Sequence, residues 1–266
     1  MKTVFITGAS SGIGAALAEH YANEGALLGL VARREDVLEQ LRQRLPNADR
    51  HKIYALDVTD HNALKLAAID FINVTGVVNI VIANAGISVG TMSEFTEDLP
   101  VFARVMEINV LATVATFAPF IAHMKQHAQS QSCRLVGIGS VAGIRGLPGA
   151  EAYSASKAAV ISYCESLRVE LRPAGIRVVT IAPGYIDTPM TRYNPYPMPF
   201  LMPAQAFANA AIAAIDRGVS YRVIPWQMGV VAKIMRVLPN WLYDRVFEKV
   251  RRKPRENEFE NDIDKR

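Results

Sequence analysis

Seven strand-length apolar runs alternate with helix-patterned stretches along most of the chain, and that alternation restricts the fold more than any other feature. The runs are Val4 to Thr7, Leu27 to Ala32, Lys52 to Leu56, Asn79 to Ala83, Arg134 to Gly139, Arg177 to Ile181 and Tyr221 to Ile224. They lack the period-two alternation of a sheet with one wet face, which predicts strands covered on both faces by helices. Helical patterns fall at Ile13 to Glu24, Glu35 to Leu45, His61 to Asn73, Pro100 to His127, Glu151 to Arg172 and Pro203 to Gly218. Strand followed by helix, repeated in this way, predicts an α/β fold built on one doubly wound parallel sheet.

The turn after the first strand reads Thr7-Gly8-Ala9-Ser10-Ser11-Gly12-Ile13-Gly14 and opens the first helix. Gly8, Gly12 and Gly14 permit a tight turn, close approach of a pyrophosphate and close packing of helix on sheet. The helix N-terminus, with Ser10, Ser11 and Ile13, offers unpaired amides to phosphates. An ordinary glycine-rich turn is the competing reading.

The second strand ends in Ala32-Arg33-Arg34. Sites for NAD generally carry an acid there for the ribose hydroxyls, whereas two guanidiniums suit a 2′-phosphate through forked, charge-assisted contacts. NADP(H) is therefore expected over NAD(H). Otherwise Arg33 and Arg34 are solvated residues opening a helix, with Glu35 and Asp36 as its N-terminal acids. Asp57-Val58 closes the third strand, where Asp57 either accepts a bond from an adenine amino group or caps the helix starting near Asp60. Asn84-Ala85-Gly86 closes the fourth, where a short side chain and a glycine let the chain pass close to a cofactor; a plain left-handed turn is the alternative.

Tyr153 and Lys157, four apart on a helix, share one face a turn from each other. A phenol of pKa near ~10 is a poor acid–base group at neutral pH, and a neighbouring ammonium brings it closer to the working range. Ser140 ends the fifth strand, where its hydroxyl could share a carbonyl oxygen with Tyr153. Asn109, inside the long helix, could anchor a water or a kink linking Lys157 to solvent. Taken singly, Ser140 reads as a turn residue and Asn109 as a local backbone binder. Their order behind a phosphate turn gives them weight.

On these residues the chain resembles the classical short-chain dehydrogenase/reductase family over residues 1 to about 225. The matching pieces are TGASSGIG at Thr7 to Gly14, NAG at Asn84 to Gly86, Asn109 within EINV, Ser140, YSASK at Tyr153 to Lys157, and PGYIDT at Pro183 to Thr188. The resemblance implies a Rossmann-like sheet of seven strands and hydride transfer between a nicotinamide and a carbonyl or its alcohol. It implies Tyr153 as general acid in reduction, Ser140 positioning the substrate oxygen, Lys157 lowering the tyrosine pKa and holding the nicotinamide ribose, and Asn109 supporting a proton-relay water. It also implies cofactor contacts at Pro183, Gly184, Ile186 and Thr188, and pairing through the two long helices into a homodimer or homotetramer. Gly139 stands where members often carry Ser, which alters hydrogen bonding beside Ser140.

The catalytic domain is expected over residues 1–225, with an excursion at Thr188 to Pro203 that five prolines keep irregular. Ile87, Val141, Ala142, Leu147, Tyr185, Met190, Tyr193, Tyr196, Met198, Phe200 and Met202 form an apolar candidate pocket, which predicts a hydrophobic ketone, aldehyde or acyl-linked carbonyl. Self-packing of that excursion is the alternative.

The chain carries 29 basic and 25 acidic residues, yet residues 1 to 221 hold 18 of each. The excess sits between Arg222 and Arg255, with nine basic residues against Asp244 and Glu248, which does not suit a nucleic-acid partner. Residues 226–255 read as an amphipathic basic extension. Val230, Val231, Ile234, Met235 and Leu238 form one apolar face, resumed by Leu242, Val246, Phe247 and Val250. That face docks on the core or a partner subunit, or else meets an anionic membrane. Residues 256–266 form an acidic tail expected to be disordered or folded back.

Two cysteines outside any metal or CxxC spacing fit a reducing, cytoplasmic compartment, with peripheral placement at the inner face of a membrane as the extension's addition. No segment reaches ~18 uninterrupted apolar residues. His123 and His127 have no Glu between them and read as helix-surface residues, so no metal is expected.

Overall fold

The computed structural model describes residues 1–256. The predicted acidic tail lies, except for Glu256, outside the described residues.

Seven parallel strands form the main sheet: β1 (Thr3–Thr7), β2 (Leu27–Ala32), β3 (Lys52–Ala55), β4 (Ile80–Ala83), β5 (Arg134–Ile138), β6 (Arg177–Pro183) and β9 (Tyr221–Ile224). Their order is β3-β2-β1-β4-β5-β6-β9. Each predicted run became a strand, with ends shifted by no more than two residues. The two-residue strands β7 (Ile186–Asp187) and β8 (Met202–Pro203) pair with each other outside this sheet. They pin the base of the Pro-rich excursion.

Helices cover both faces. On one lie α1 (Gly12–Asn23), α2 (Glu35–Arg44) and α7 (Ala204–Arg217); on the other lie α3 (His61–Thr75), α5 (Ala112–His127) and α6 (Glu151–Leu171). Successive residues of β1 divide between the two layers, Val4 and Ile6 packing with the first set and Phe5 with the second. Phe5 sits 4.9 Å from Phe120 and 5.5 Å from Phe71, ring centre to ring centre. All three are fully buried, each worth about 1.5–3 kcal/mol of transfer free energy.

The expected long helix at Pro100 to His127 is interrupted. It starts as α4 (Leu99–Met106), widens into a π segment at Glu107–Leu111, and resumes as α5. The stretch Thr96–His127 is long and apolar enough by composition to cross a membrane. Here Phe117, Phe120 and Met124 pack it into the core against β4 and α3.

The extension forms α8 (Trp226–Val237) and α9 (Asn240–Phe247) and docks on the subunit itself. Arg145 makes the clasp: it donates to the carbonyls of Met235 and Leu238 at the end of α8 and to Asn240 Oδ1, and lies 3.9 Å from the Tyr243 ring centre. A cation on the last carbonyls of a helix opposes the negative end of its dipole. The Tyr243 hydroxyl donates to the Gly146 carbonyl. The predicted apolar face is not the one that docks. The buried residues are Met228, Ala232 and Tyr243, whereas of the predicted stripe Val231, Met235, Leu238, Leu242 and Phe247 are half-buried and Val230, Ile234, Val246 and Val250 are exposed, together with Trp226, Val237 and Trp241.

Candidate active site

The strand order reverses between β1 and β4, and in open α/β sheets ligands bind in the crevice outside the strand ends at such a point. A continuous cleft opens there. Gly8, Ser10, Ser11, Gly12 and Ile13 form one end with Arg33, Arg34, Asp57 and Val58, and Asn84, Ala85 and Gly86 form its middle. Ser140, Tyr153 and Lys157 stand at the far end, facing Pro183, Gly184, Ile186 and Thr188.

Two predicted residues act from behind the lining. Gly14 packs beneath the turn, where an added Cβ would stand 2.1 Å from the Gly8 carbonyl oxygen. Asn109 is fully buried.

The turn itself needs glycine. Gly8 and Gly12 hold φ of +68° and +55°, a region that side chains disfavour. Asn84 locks the turn to β4: its Nδ2 donates to the carbonyls of Thr7 and Gly8, and its backbone N–H donates to Thr7 Oγ1. The plain-turn reading of Asn84 therefore understates it, since the side chain joins two strand ends.

Arg33 lies 3.9 Å from Asp57 Oδ2 with a largely exposed side chain, and Arg34 Nη2 reaches Ser10 Oγ at 3.4 Å. Arg34 also precedes α2, whose first turn carries Glu35 and Asp36, so the two readings of the arginines describe the same geometry. Of the two roles weighed for Asp57, capping goes elsewhere: Asp60 Oδ1 accepts from Ala63 at the start of α3. Asp57 instead accepts from the Thr59 amide and hydroxyl. Burial alone would raise its pKa, but those bonds and Arg33 outweigh it and hold the carboxyl low.

At the other end, Ser140 Oγ accepts from the Ala142 amide, capping the short turn Val141–Gly143. That turn sits against α6 at the Lys157 carbonyl, where Gly143 has no room for a Cβ. Tyr153 is half-buried and lines the cleft. Burial pushes that phenol above its usual range, and a hydrogen bond with Ser140 pulls it partly back. Lys157 Nζ donates to the Ile138 carbonyl at 2.9 Å and lies 5.8 Å from the Tyr153 ring centre. Burial lowers its pKa to about 8.

Asn109 sits in the π segment. Its Oδ1 accepts from the Ile87 amide, and its Nδ2 donates to the Ile87 carbonyl and to Ser156 Oγ. The side chain thus ties the segment after β4 to α6, at the place where the helix widens into its π turn.

Sequence reasoning missed Ile108, Gly139 and Thr191 as cleft residues. Ile108 and Gly139 each adjoin a motif residue, which was the available signal. Thr191 had none: its hydroxyl donates to the Ile186 carbonyl and accepts from the Thr188 amide, folding the excursion over the cleft. Of the candidate substrate residues, Met190 and Ile87 line the cleft, Tyr185 and Tyr196 pack on each other 6.3 Å apart, and Tyr193 and Phe200 face outward.

Comparison with known proteins places the chain in a family. Residues 2–196 match the short chain dehydrogenase family. An uncharacterized oxidoreductase of Myxococcus xanthus is 36% identical over 253 residues, 94% of this chain and 98% of that protein. An 11-beta-hydroxysteroid dehydrogenase-like protein of Arabidopsis thaliana is 32% identical, covering 92% of this chain and 82% of its own length. Among solved structures, a 3-ketoacyl-(acyl-carrier-protein) reductase from Brucella melitensis, complexed with NADH, superimposes with a TM-score of 0.77 at 27% identity, covering 84% of this chain and 96% of that one. A short-chain dehydrogenase from Sphingobium yanoikuyae in complex with NADPH gives 0.75 at 28% identity, covering 90% and 97%.

Proposed function

The chain belongs to the short-chain dehydrogenase family, an oxidoreductase fold that works with NAD(P)H, and from that premise we propose that it is an NADP(H)-dependent reductase of hydrophobic ketones, aldehydes or acyl-linked carbonyls. One observation carries the reading: Tyr153, Ser140 and Lys157 share a single cleft with the glycine turn and with the Arg33–Arg34 pair at its opposite end. The cleft fits a dinucleotide. Positive φ at Gly8 and Gly12 turns the chain back over the N-terminus of α1, and Gly86 leaves no side chain between Asn109 and Lys157.

Gly8 to Gly14 would hold the pyrophosphate, Arg33 and Arg34 the 2′-phosphate, and Asp57 and Val58 the adenine. Asn84 to Gly86, Pro183, Gly184, Ile186 and Thr188 would flank the nicotinamide half. When bound, the nucleotide supplies a hydride to the carbonyl carbon. The protein supplies the proton. With its pKa raised by burial, Tyr153 stays protonated at neutral pH and is poised as a general acid toward the carbonyl oxygen. Ser140 Oγ orients that oxygen beside it. Lys157, cationic below pH about 8, favours the phenolate left after proton transfer. Asn109 fixes the frame joining Ile87 to Ser156, next to Lys157.

Following NADPH consumption with a long-chain methyl ketone, para-nitrobenzaldehyde and an acetoacetyl thioester tests the reading. Turnover should appear with at least one and vanish in Tyr153→Phe. NADPH binding without turnover on any carbonyl would favour a nucleotide-sensing protein on the same fold. Faster turnover with NADH would favour an NAD(H)-dependent alcohol or hydroxysteroid-type dehydrogenase.

Two further expectations belong to this reading. The chain is a cytoplasmic homodimer or homotetramer paired through α5 and α6, which sedimentation velocity tests. Its extension also touches an anionic membrane peripherally: Trp226, Ile234, Val237 and Trp241 are each more than half exposed, with Lys233 and Lys249 nearby. Vesicles containing phosphatidylglycerol should pellet the full chain and leave the double variant Val237→Asp, Trp241→Asp in solution. Equal behaviour of the two would refute the contact.

A further inference from the structure

The run Arg251 to Arg255, the basic end of the extension, turns back toward the rim of the cleft and is anchored there. Arg255 forms a two-pronged pair with Asp98, Nε to Oδ2 at 2.8 Å and Nη2 to Oδ1 at 2.9 Å, and also donates to Glu97. Its guanidinium carbon lies 3.6 Å from the Phe95 ring centre. The pair is largely withdrawn from water, with side-chain exposures of 11% for Arg255 and 7% for Asp98. Forked contacts of this kind fix direction as well as distance.

Two more anchors lie beside it. The Gly90 amide donates to the Pro254 carbonyl, and a Cβ on Gly90 would stand 2.3 Å from the Lys253 carbonyl oxygen. Lys253 is buried, and its Nζ donates to Ser88 Oγ at 2.8 Å.

What these anchors hold is the loop between β4 and α4, which faces the catalytic helix. Asp98 Oδ2 accepts from the Met92 amide as well as from Arg255, so one carboxylate shapes the loop and takes the strap. Thr91 bridges to Ala150, and the Ala152 amide donates to Thr91 Oγ1. Ala152 immediately precedes Tyr153. On the same side, Arg252 packs on Gly149, where a Cβ would meet its side chain at 2.7 Å. At the loop's start, Ile87 lines the cleft and is held by Asn109. The strap therefore contacts both flanks of the substrate end.

We propose that Lys253-Pro254-Arg255 is a positioning element of the reaction, which holds the residue 88–98 loop and the first turn of α6 in the arrangement that receives the substrate beside Tyr153. Arg255 and Lys253 act through the loop and not on the reacting atoms. The proposal rests on the carbonyl-reductase reading for what the substrate is, but its structural content stands apart from that reading.

The test compares the full chain with Arg255→Ala, Arg255→Lys and Lys253→Met, by hydrogen exchange without substrate and by turnover of a long-chain methyl ketone. In Arg255→Ala, exchange over residues 88–98 and 149–153 should speed up about tenfold, while residues 7–14 keep their protection. KM for the ketone should rise about tenfold, kcat should change less than about threefold, and NADPH affinity should hold. Lys253→Met should shift the same readouts in the same direction by less, and Arg255→Lys should recover part of the loss, since an ammonium cannot reproduce the fork. Unchanged exchange at both segments, faster exchange spread evenly over the chain, or an unchanged KM would each overturn the proposal. Absence of turnover with any carbonyl would sink the reductase reading alone, and the exchange result would still decide the strap.

Discussion

Replacing Arg33 and Arg34 with alanine, singly and together, separates phosphate recognition from dinucleotide recognition in general. Among the described residues neither arginine is committed elsewhere: Arg33 has a long contact with Asp57 at 3.9 Å, and Arg34 leans over the turn toward Ser10 Oγ at 3.4 Å. A charge-assisted hydrogen bond contributes about 1.5–3 kcal/mol. With the Arg33 side chain 71% exposed, solvent screening reduces that to about 1–2 kcal/mol per arginine. Each single variant should therefore weaken NADPH binding roughly 5–30-fold, and the double variant more, short of the product because the two groups share one phosphate. NADH, lacking the 2′-phosphate, should change by less than about threefold. Nucleotide fluorescence titrations at low and raised salt would measure this, with salt weakening NADPH binding to the wild type more than to the double variant. Parallel losses for both nucleotides would mean that the arginines only support the fold of the turn, and no loss for NADPH would remove them from the site.

Other consequences are more local. Gly14→Ala places a methyl group against the Gly8 carbonyl, so nucleotide binding should fall below detection by calorimetry, with a lowered melting temperature. Lys157 keeps its proton below pH about 8 and loses it above. NADPH affinity and kcat/KM for reduction should thus be level on the acid side of that value and decline on the alkaline side, and Lys157→Met should abolish the inflection in the pH profile. Phe5→Ala empties a site closed by Phe71 and Phe120. It should cost about 3–5 kcal/mol and lower the melting temperature by roughly 6–20 °C in calorimetry.

Much of this fold was legible because its physics is local. Buried parallel strands are short apolar runs, and each of the seven ended within two residues of its expected place. The site was legible for a related reason: a glycine turn, a Tyr-Lys pair one helical turn apart and a serine at a strand end each carry their constraint in neighbouring residues.

What escaped depends on distant partners. The π segment around Asn109 owes its neighbourhood to Ile87 and Ser156, far along the chain in both directions. The two-residue strands pinning the excursion are joined by register between Ile186 and Met202. The basic residues up to Arg255 were read only as a local charge excess, because a local count does not see Glu97 and Asp98, more than 150 residues earlier, receiving Arg255. The apolar stripe of the extension was read as one docking face, whereas Met228, Ala232 and Tyr243 make the buried contact and Val230, Ile234, Val246 and Val250 stay exposed.

Protonation of a carbonyl oxygen by Tyr153 while NADPH gives its carbon a hydride is tested most directly by supplying NADPH deuterated at the nicotinamide C4 with a long-chain methyl ketone and following the alcohol product by mass spectrometry. Deuterium should appear on the carbinol carbon. Tyr153→Phe should form that product about 10²–10⁴-fold more slowly while binding NADPH as tightly as the wild type. Nucleotide oxidation without deuterium in the product, or an undiminished rate in Tyr153→Phe, would contradict it.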